Sequence, residues 1–448
     1  MTTQLALSFY EKELLVVEKK HNSEWGTFKD SLRAPVHRWF TYPAGFSYKA
    51  VEHSIERYGV VQGQTIYDPF MGSGTTNLTA KTLGINSVGT EAHPFVYQIT
   101  RAKLNWDIEP ESIKAFIELV QKKLLKKSVA LKTKDLQDEF PELILKCYEN
   151  KTLYDLWALR ELITDNLEDG GIRDFFFVVV TAMLRNVSIA ATGWPYIAPN
   201  KVKTSSIDKD VLFEFTSLAK QMANDIQAIK LLSKDRYKQS THNLINGDSR
   251  NTKNHIQDES ADHVFTSPPY LNNFDYADRT RLELYFWGQA KSWGDISEKI
   301  RTVLMTSATT QINRTDVRYE INSEFSRECP KVTNFISENI EKLAVIRKTK
   351  GGKKSYDLMV AGYFNDMYLI IKDVYRIMKP RTKALFVLGD SAPYGIHIPT
   401  DKLIGDIGIG VGFSSYEIEV LRTRGDKWKA NPQRHNIPLR EGVVILSK

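Results

Sequence analysis

The stretch from Gln64 to Trp106 constrains the fold more than any other part of the chain. It opens with TIYD, a short apolar strand ending in an acid, and passes through PFMGSGTTNLTAKTLG, a small-residue turn running into a helix. SVGTEA follows as a second strand ending in an acid, with another helical stretch behind it. Strands joined through a helix lie parallel, because a hairpin cannot hold so long a connection. The strand signal returns at NLINGD, at DHVFTSPPY and at ALFVLGD. It returns again in YEIEVLRTR and REGVVILSK, which read as an antiparallel sheet edge. That makes seven strands and predicts one doubly wound α/β domain with a mostly parallel sheet, interrupted by two inserted modules.

Residues 37–106, 240–288 and 358–448 carry the sheet. Residues 107–239 show helix-period stretches such as SIKAFIELVQKKLLKK and no convincing strand, and read as a helical insertion. Residues 289–357 are polar and irregular, end in RKTKGGKK, and form the candidate target-recognition insertion. An amphipathic helix follows, with Tyr363, Met367, Ile370, Ile371, Val374, Ile377 and Met378 on one face, and stops at Lys379-Pro380. At roughly 150 residues per domain the length allows two or three domains, but the strand order favours one interrupted domain. Cys147 and Cys329 lie far apart and exclude a disulfide framework or a cysteine zinc site. The histidines show no metal-ligand spacing, so no metal is expected; His37 and His93 lie near the glycine turn but read as structural. The longest apolar run, Phe175 to Leu184, is about half a membrane span. With no secretion signal in MTTQLALSFYEKELL, the reading is a soluble protein of the prokaryotic or phage-infected cytoplasm, without membrane contact. A net charge of +7 permits a polyanionic partner.

The turn Asp68-Pro69-Phe70-Met71-Gly72-Ser73-Gly74-Thr75-Thr76 sits at the carboxyl end of a strand, where open α/β sheets bind ligands. A Walker loop would need a lysine it lacks, and a dinucleotide fingerprint would need Gly where Asn77 stands. A nucleoside ligand without phosphates fits better, with Glu91 placed to grip two ribose hydroxyls. A plain glycine-rich turn is the competing interpretation. In Thr266-Ser267-Pro268-Pro269-Tyr270, two prolines remove two donors and stiffen the loop. The result is an acceptor-rich edge beside an aromatic ring. Ser267 and the Pro268 carbonyl can accept the hydrogens of an exocyclic amine while Tyr270 stacks on a base that has left its duplex.

Together DPFMGSGTT and TSPPY resemble the DNA amino-methyltransferases, in particular the cytosine-N4-specific group. The resemblance covers residues 37–106, 240–288 and 360–448. It implies a Rossmann-like class I fold, S-adenosyl-L-methionine as cofactor and double-stranded DNA as substrate. It places the cofactor against Tyr42, Ala44 and Phe46 of TYPAGF, where the family's YPAKF-like pattern has lost a basic side chain. It adds Asp68, Pro69, Phe70, Gly72, Ser73, Gly74, Thr75 and Thr76 of the turn, then Glu91 with Ala92, and Asp248 with Ser249 of NGDSRN. Catalysis is carried over to Ser267, Pro268, Pro269 and Tyr270. A restriction–modification role, with a cognate endonuclease as partner, follows from family habit.

Basic stretches offer phosphate contacts: Arg347, Lys348, Lys350, Lys353 and Lys354 in a glycine-broken loop, and Arg424, Lys427 and Trp428 near the C-terminal end. Trp194 to Lys201 is a second candidate for reading sequence. The alternatives to cytosine N4 are the amine of adenine in DNA, an RNA substrate, and a non-catalytic DNA-binding module.

Overall fold

The computed structural model describes residues 25–42, 45–191, 197–202, 210–350, 354–424 and 438–448. The sheet strands are β1 (Thr65–Asp68), β2 (Asn86–Glu91), β5 (His242–Asn246), β6 (Ala261–Thr266), β7 (Met378–Gly389), β8 (Ser415–Arg424) and β9 (Leu439–Ser447), with a separate pair β3 (Ala190–Ala191) and β4 (Ala198–Val202). Helices of eight or more residues are α1 (Tyr48–Arg57), α2 (Thr75–Leu83), α3 (Pro94–Leu104), α4 (Pro110–Leu131), α5 (Asn150–Asn166), α6 (Gly171–Val187), α7 (Val211–Ser233), α8 (Pro330–Thr349), α9 (Tyr356–Ile377) and α10 (Thr400–Val411).

The seven-stranded sheet runs β5-β2-β1-β6-β7-β9-β8. The strands from β5 to β7 are parallel, and β9 is antiparallel to both β7 and β8. This is the mostly parallel Rossmann-like α/β sheet that the strand signals predict. From β1 the chain moves outward to β2 and β5, then returns on the other side as β6. The order therefore reverses between β1 and β6, and the crevice outside their carboxyl ends is where such sheets hold ligands.

The helices between β2 and β5 do not stand apart from the sheet. Phe95, Val96 and Ile99 of α3 share one buried cluster with Phe175, Phe176 and Phe177 of α6 and with Phe215 and Met222 of α7. The apolar stripe of α9 packs on the opposite face with β6, β7 and α10. No helix among the described residues is long and apolar enough to cross a membrane.

Three local features differ from the sequence expectations. Residues 107–239 hold the antiparallel pair β3–β4, too short to produce a strand signal. The stretch read as irregular contains the twenty-residue α8, opened by Pro330 at its first position. Its buried stripe is Val332, Thr333, Ile336, Asn339 and Leu343, and the polar members interrupt the apolar period. Arg347 and Lys348 lie in its last turn rather than in a loop. Finally, α9 ends at Ile377 and β7 already begins at Met378, ahead of Lys379-Pro380.

One buried carboxylate fixes the segment that leads into the crevice. Asp225 on α7, 3% exposed, accepts Arg38 Nε at 2.8 Å, Trp39 Nε1 at 3.0 Å and the Val36 N–H at 3.4 Å. Removing it leaves a guanidinium and two N–H groups without their partner. Asp225→Ala should therefore lower stability by about 3 kcal/mol, read as a shift of the urea midpoint. Asp225→Asn should recover part of that loss.

Candidate active site

Parallel pairing of Tyr67 with Val264 puts the end of β1 beside the end of β6. Asp68 bridges them: its Oδ1 accepts Thr266 Oγ1 at 2.6 Å and the Phe70 N–H at 2.9 Å. Thr76 Oγ1 donates to the Phe265 carbonyl at 3.2 Å as a second tie. Burial pushes the Asp68 carboxyl up to about 6, and its Oδ2, closed off from solvent, has no hydrogen-bond partner. Asp68 thus lies under the glycine turn, joining the two loops, and does not line the cleft above them.

That cleft is lined by Tyr42, Phe46, Pro69, Phe70, Gly72, Ser73, Thr75, Glu91, Ala92, Asp248 and Ser249, together with Ser267 and Pro269. Most of the sequence-derived cofactor set and half of the catalytic loop therefore meet in one place. Gly74 and Thr76 stand behind the lining, and Ala44 lies outside the described residues. Gly74 holds φ of +82°, and a Cβ there would come 2.7 Å from Thr100 Cγ2. Gly72, at φ +50°, keeps the backbone open beside the Tyr42 ring.

Helix α3 braces the turn from below. Thr100 Oγ1 donates to the Gly72 carbonyl at 2.6 Å. Lys103 Nζ donates to the Ser73 carbonyl at 2.7 Å and to the His37 carbonyl at 3.3 Å. Lys103 is completely buried, and desolvation pulls its ammonium down to about 7. Sequence reasoning passed over this residue, although a signal was present: Lys103 falls four residues after Ile99 on the apolar stripe of α3. His93 is also structural. It is buried, its Nε2 lies 2.8 Å from Thr280 Oγ1, and burial pulls its pKa down to about 3.

Glu91 ends β2 facing the turn. Its Oε2 accepts the Gly72 N–H at 2.9 Å and its Oε1 the His93 N–H at 2.8 Å, leaving lone pairs on both oxygens. Burial pushes its carboxyl up to about 7, against the pull of those two N–H groups. Asp248 is held by Arg250, with Nη2 to Oδ2 at 2.6 Å, and Arg250 Nη1 reaches on to Asp366 Oδ1 at 2.9 Å. Ser249 Oγ donates to the Pro69 carbonyl. The opposite wall comes from the segment read as the target-recognition insertion: Val303, Leu304, Met305, Ser307 and Gln311.

In the catalytic loop, Ser267 Oγ donates to the Val387 carbonyl of β7 at 3.0 Å. Pro268 is buried and Pro269 half-buried. Tyr270 is only 5% exposed and lies outside the cleft lining. Its hydroxyl donates to Glu441 Oε1 at 2.7 Å, and Arg422 Nε holds Glu441 Oε2 at 2.6 Å. Among the basic candidates, Arg347 Nε stands 3.3 Å from the buried Asp357 carboxylate. Lys348, Lys350 and Lys354 are exposed. Lys354 is near the catalytic loop, because the Tyr356 hydroxyl two residues on accepts Asn273 Nδ2 at 3.5 Å. Lys353, Lys427, Trp428 and Trp194 lie outside the described residues, and only the backbone of Arg424 is described.

A glycine turn and a buried carboxylate stand at the switch point of a Rossmann-like sheet, and the comparisons with known proteins support a methyltransferase whose methyl donor is S-adenosyl-L-methionine. The lining fits that cofactor: Gly72 keeps the backbone open beside the Tyr42 ring, and the carboxylates of Glu91 and Asp248 face the cleft. The family model described as DNA methylase matches residues 11–102. The chain is similar to the Type II methyltransferase M.BsoBI of Geobacillus stearothermophilus, 25% identical over 99% of this chain and 92% of that protein. It is similar to the Type II methyltransferase M.MvaI of Kocuria varians, 24% identical over 90% and 86% respectively. It also resembles the Type II methyltransferase M.MjaII of Methanocaldococcus jannaschii, 27% identical over 54% of this chain and 60% of that protein. These likenesses support a DNA methyltransferase similar to the DNA amino-methyltransferases.

Two outcomes follow from the wall and floor of the cleft. A carboxylate receives ribose hydroxyls better than a carboxyl group, and protonation of Glu91 near pH 7 removes an acceptor. Cofactor affinity measured by calorimetry should rise from pH 6 to pH 8, by up to about tenfold per pH unit below the midpoint. Glu91→Gln should bind weakly and flatten that profile. Lys103→Met would leave two buried carbonyls without a donor, costing about 1–3 kcal/mol for each; its melting temperature should fall.

Proposed function

We propose that this enzyme transfers a methyl group to the exocyclic N4 of cytosine at specific sites in double-stranded DNA, acting on a base turned out of the helix. The observation that carries the reading is the hydroxyl of Ser267. Its proton is engaged by the Val387 carbonyl, so the oxygen presents lone pairs to the cleft. Pro268 and Pro269 contribute no N–H to the loop. The edge is therefore built to accept, which suits an amine bearing two hydrogens.

The amine of cytosine is a poor nucleophile because its lone pair is conjugated into the ring. Ser267 Oγ and the Pro268 carbonyl accept its two hydrogens and favour a tetrahedral nitrogen, freeing that lone pair. Tyr270, expected from the sequence to stack on the base, is buried instead and, anchored through Glu441, braces the loop that accepts the amine. Gly72, Ser73, Glu91 and Asp248 hold the cofactor, which when bound supplies an electrophilic methyl group on a sulfonium. Orientation of this kind can supply roughly 7–11 kcal/mol of a barrier.

Residues 289–357 are proposed to read the target sequence. Support comes from their position: one end of the segment forms a cleft wall and the other carries exposed Lys348 and Lys350. The Type II names of the relatives support a restriction–modification role beside a cognate endonuclease, in the cytoplasm of a prokaryotic or phage-infected cell.

The deciding experiment is modification-sensitive long-read sequencing of host DNA after expression, beside a Ser267→Ala/Tyr270→Ala control. N4-methylcytosine at one motif, present only with the intact enzyme, is the expected result. Methyladenine at a motif would overturn the choice of base and keep the amine chemistry. Single variants separate the two halves of the site. Tyr270→Ala should cut turnover at least a hundredfold with cofactor affinity nearly unchanged, whereas Gly72→Val should abolish cofactor binding (both on the scale of a lost positioning group, about 3 kcal/mol or more).

A further inference from the structure

S-adenosyl-L-methionine carries an α-carboxylate, and the cleft offers it no obvious counter-charge. No lysine or arginine is among the described residues that line the cleft. The two arginines that reach its acids are already engaged. Arg250 holds Asp248, and the buried Arg301 holds Asp275 through Nε at 3.0 Å and Nη2 at 2.8 Å. Lys103 is committed to carbonyls behind the turn.

One guanidinium nearby has unmatched charge. Arg279 ends the short helix Tyr276–Arg279, three residues after Tyr276, so the two share a face. Tyr276 lines the cleft, and its ring centroid lies 5.9 Å from that of Tyr42 at the turn. Arg279 itself is not among the lining residues, but its charge reaches the Tyr42 hydroxyl together with those of Glu91 and Asp275. The carboxylate close to Arg279 is Glu283, and Arg185 already occupies it with Nε at 2.6 Å and Nη2 at 3.0 Å. Arg185 also donates to the backbone carbonyl of Arg279 at 2.8 Å. Arg279 is half-buried, has no ion pair among the described residues, and its solvent-shielded Nε has no hydrogen-bond partner. A half-buried arginine in that state is stabilised by an anionic ligand.

We infer that Arg279 binds the α-carboxylate of S-adenosyl-L-methionine, entering beside Tyr42 and Tyr276 at the end of the cleft formed by Gly72 and Ser73. This rests on the cleft being the cofactor site, as proposed above. The guanidinium and carboxylate match in charge and planar geometry, and Arg185 holds the Arg279 backbone in place.

The test is calorimetric binding of two ligands to the full-length protein without DNA: S-adenosyl-L-methionine, and its decarboxylated analogue, which lacks only that carboxylate. Arg279→Gln should weaken the first about ten- to a hundredfold, the scale of a lost charge-assisted hydrogen bond, and leave the second within twofold. Arg279→Lys should restore part of the loss. Equal weakening of both ligands, or of neither, would overturn the inference. A variant with unchanged cofactor affinity but weaker DNA binding and a shallower salt dependence would reassign Arg279 to a DNA phosphate. Gly72→Val serves as the control: if it leaves cofactor binding intact, the cleft itself has been misread, whereas loss of binding there with no effect at Arg279 removes this inference alone.

Discussion

The carboxylate of Asp68 is the interaction that ties the glycine turn to the proline loop. Parallel pairing of β1 with β6 places two strand ends side by side, but strand ends alone do not set the path of the loops beyond them. Asp68 does, because one oxygen holds Thr266 at the entry to the catalytic loop and Phe70 at the entry to the glycine turn. The arrangement keeps a carboxyl group buried with one oxygen unsatisfied, a cost that only a shared geometric requirement offsets. Thr100 and Lys103 then fix the far side of the same turn through its carbonyls, which leaves its N–H groups directed elsewhere, one of them to Glu91.

The catalytic loop is held in a second way, from the neighbouring strands. Ser267 is tied to Val387 of β7, and Tyr270 is tied through Glu441 to β9 and Arg422 of β8. Neither side chain needs to search for its orientation. Groups locked before substrate arrives lose little on binding, the general advantage of a site built on rigid elements.

Much of this was legible in the sequence because it is local. Seven strands, the glycine turn, the acid at Glu91 and the proline loop are each written in a few consecutive residues, and the structure brings the turn, Glu91, Ser267 and Pro269 into one cleft. What was not legible is what depends on residues distant in sequence. Asp68 reads as a cofactor ligand until Thr266, almost two hundred positions later, is seen beside it. Tyr270 reads as a ring that stacks on a base until its hydroxyl is seen to meet Glu441. The cleft wall from Val303 to Gln311 carries no motif, because a wall needs only shape and apolar surface. α8 escaped notice for a related reason: its buried stripe includes Thr333 and Asn339, so its apolar period is broken.

The position of β9 has a consequence for how the molecule comes into being. Of the seven sheet strands it is the last in chain order, yet it lies inside the sheet, between β7 and β8. β8 therefore has no partner until β9 arrives, and Tyr270 has no anchor until Glu441 does. Folding must wait for a contact that spans 171 positions of sequence, the kind of non-local closure that comes late and slowly. An incompletely synthesised chain could already possess its glycine turn and still lack an ordered catalytic loop.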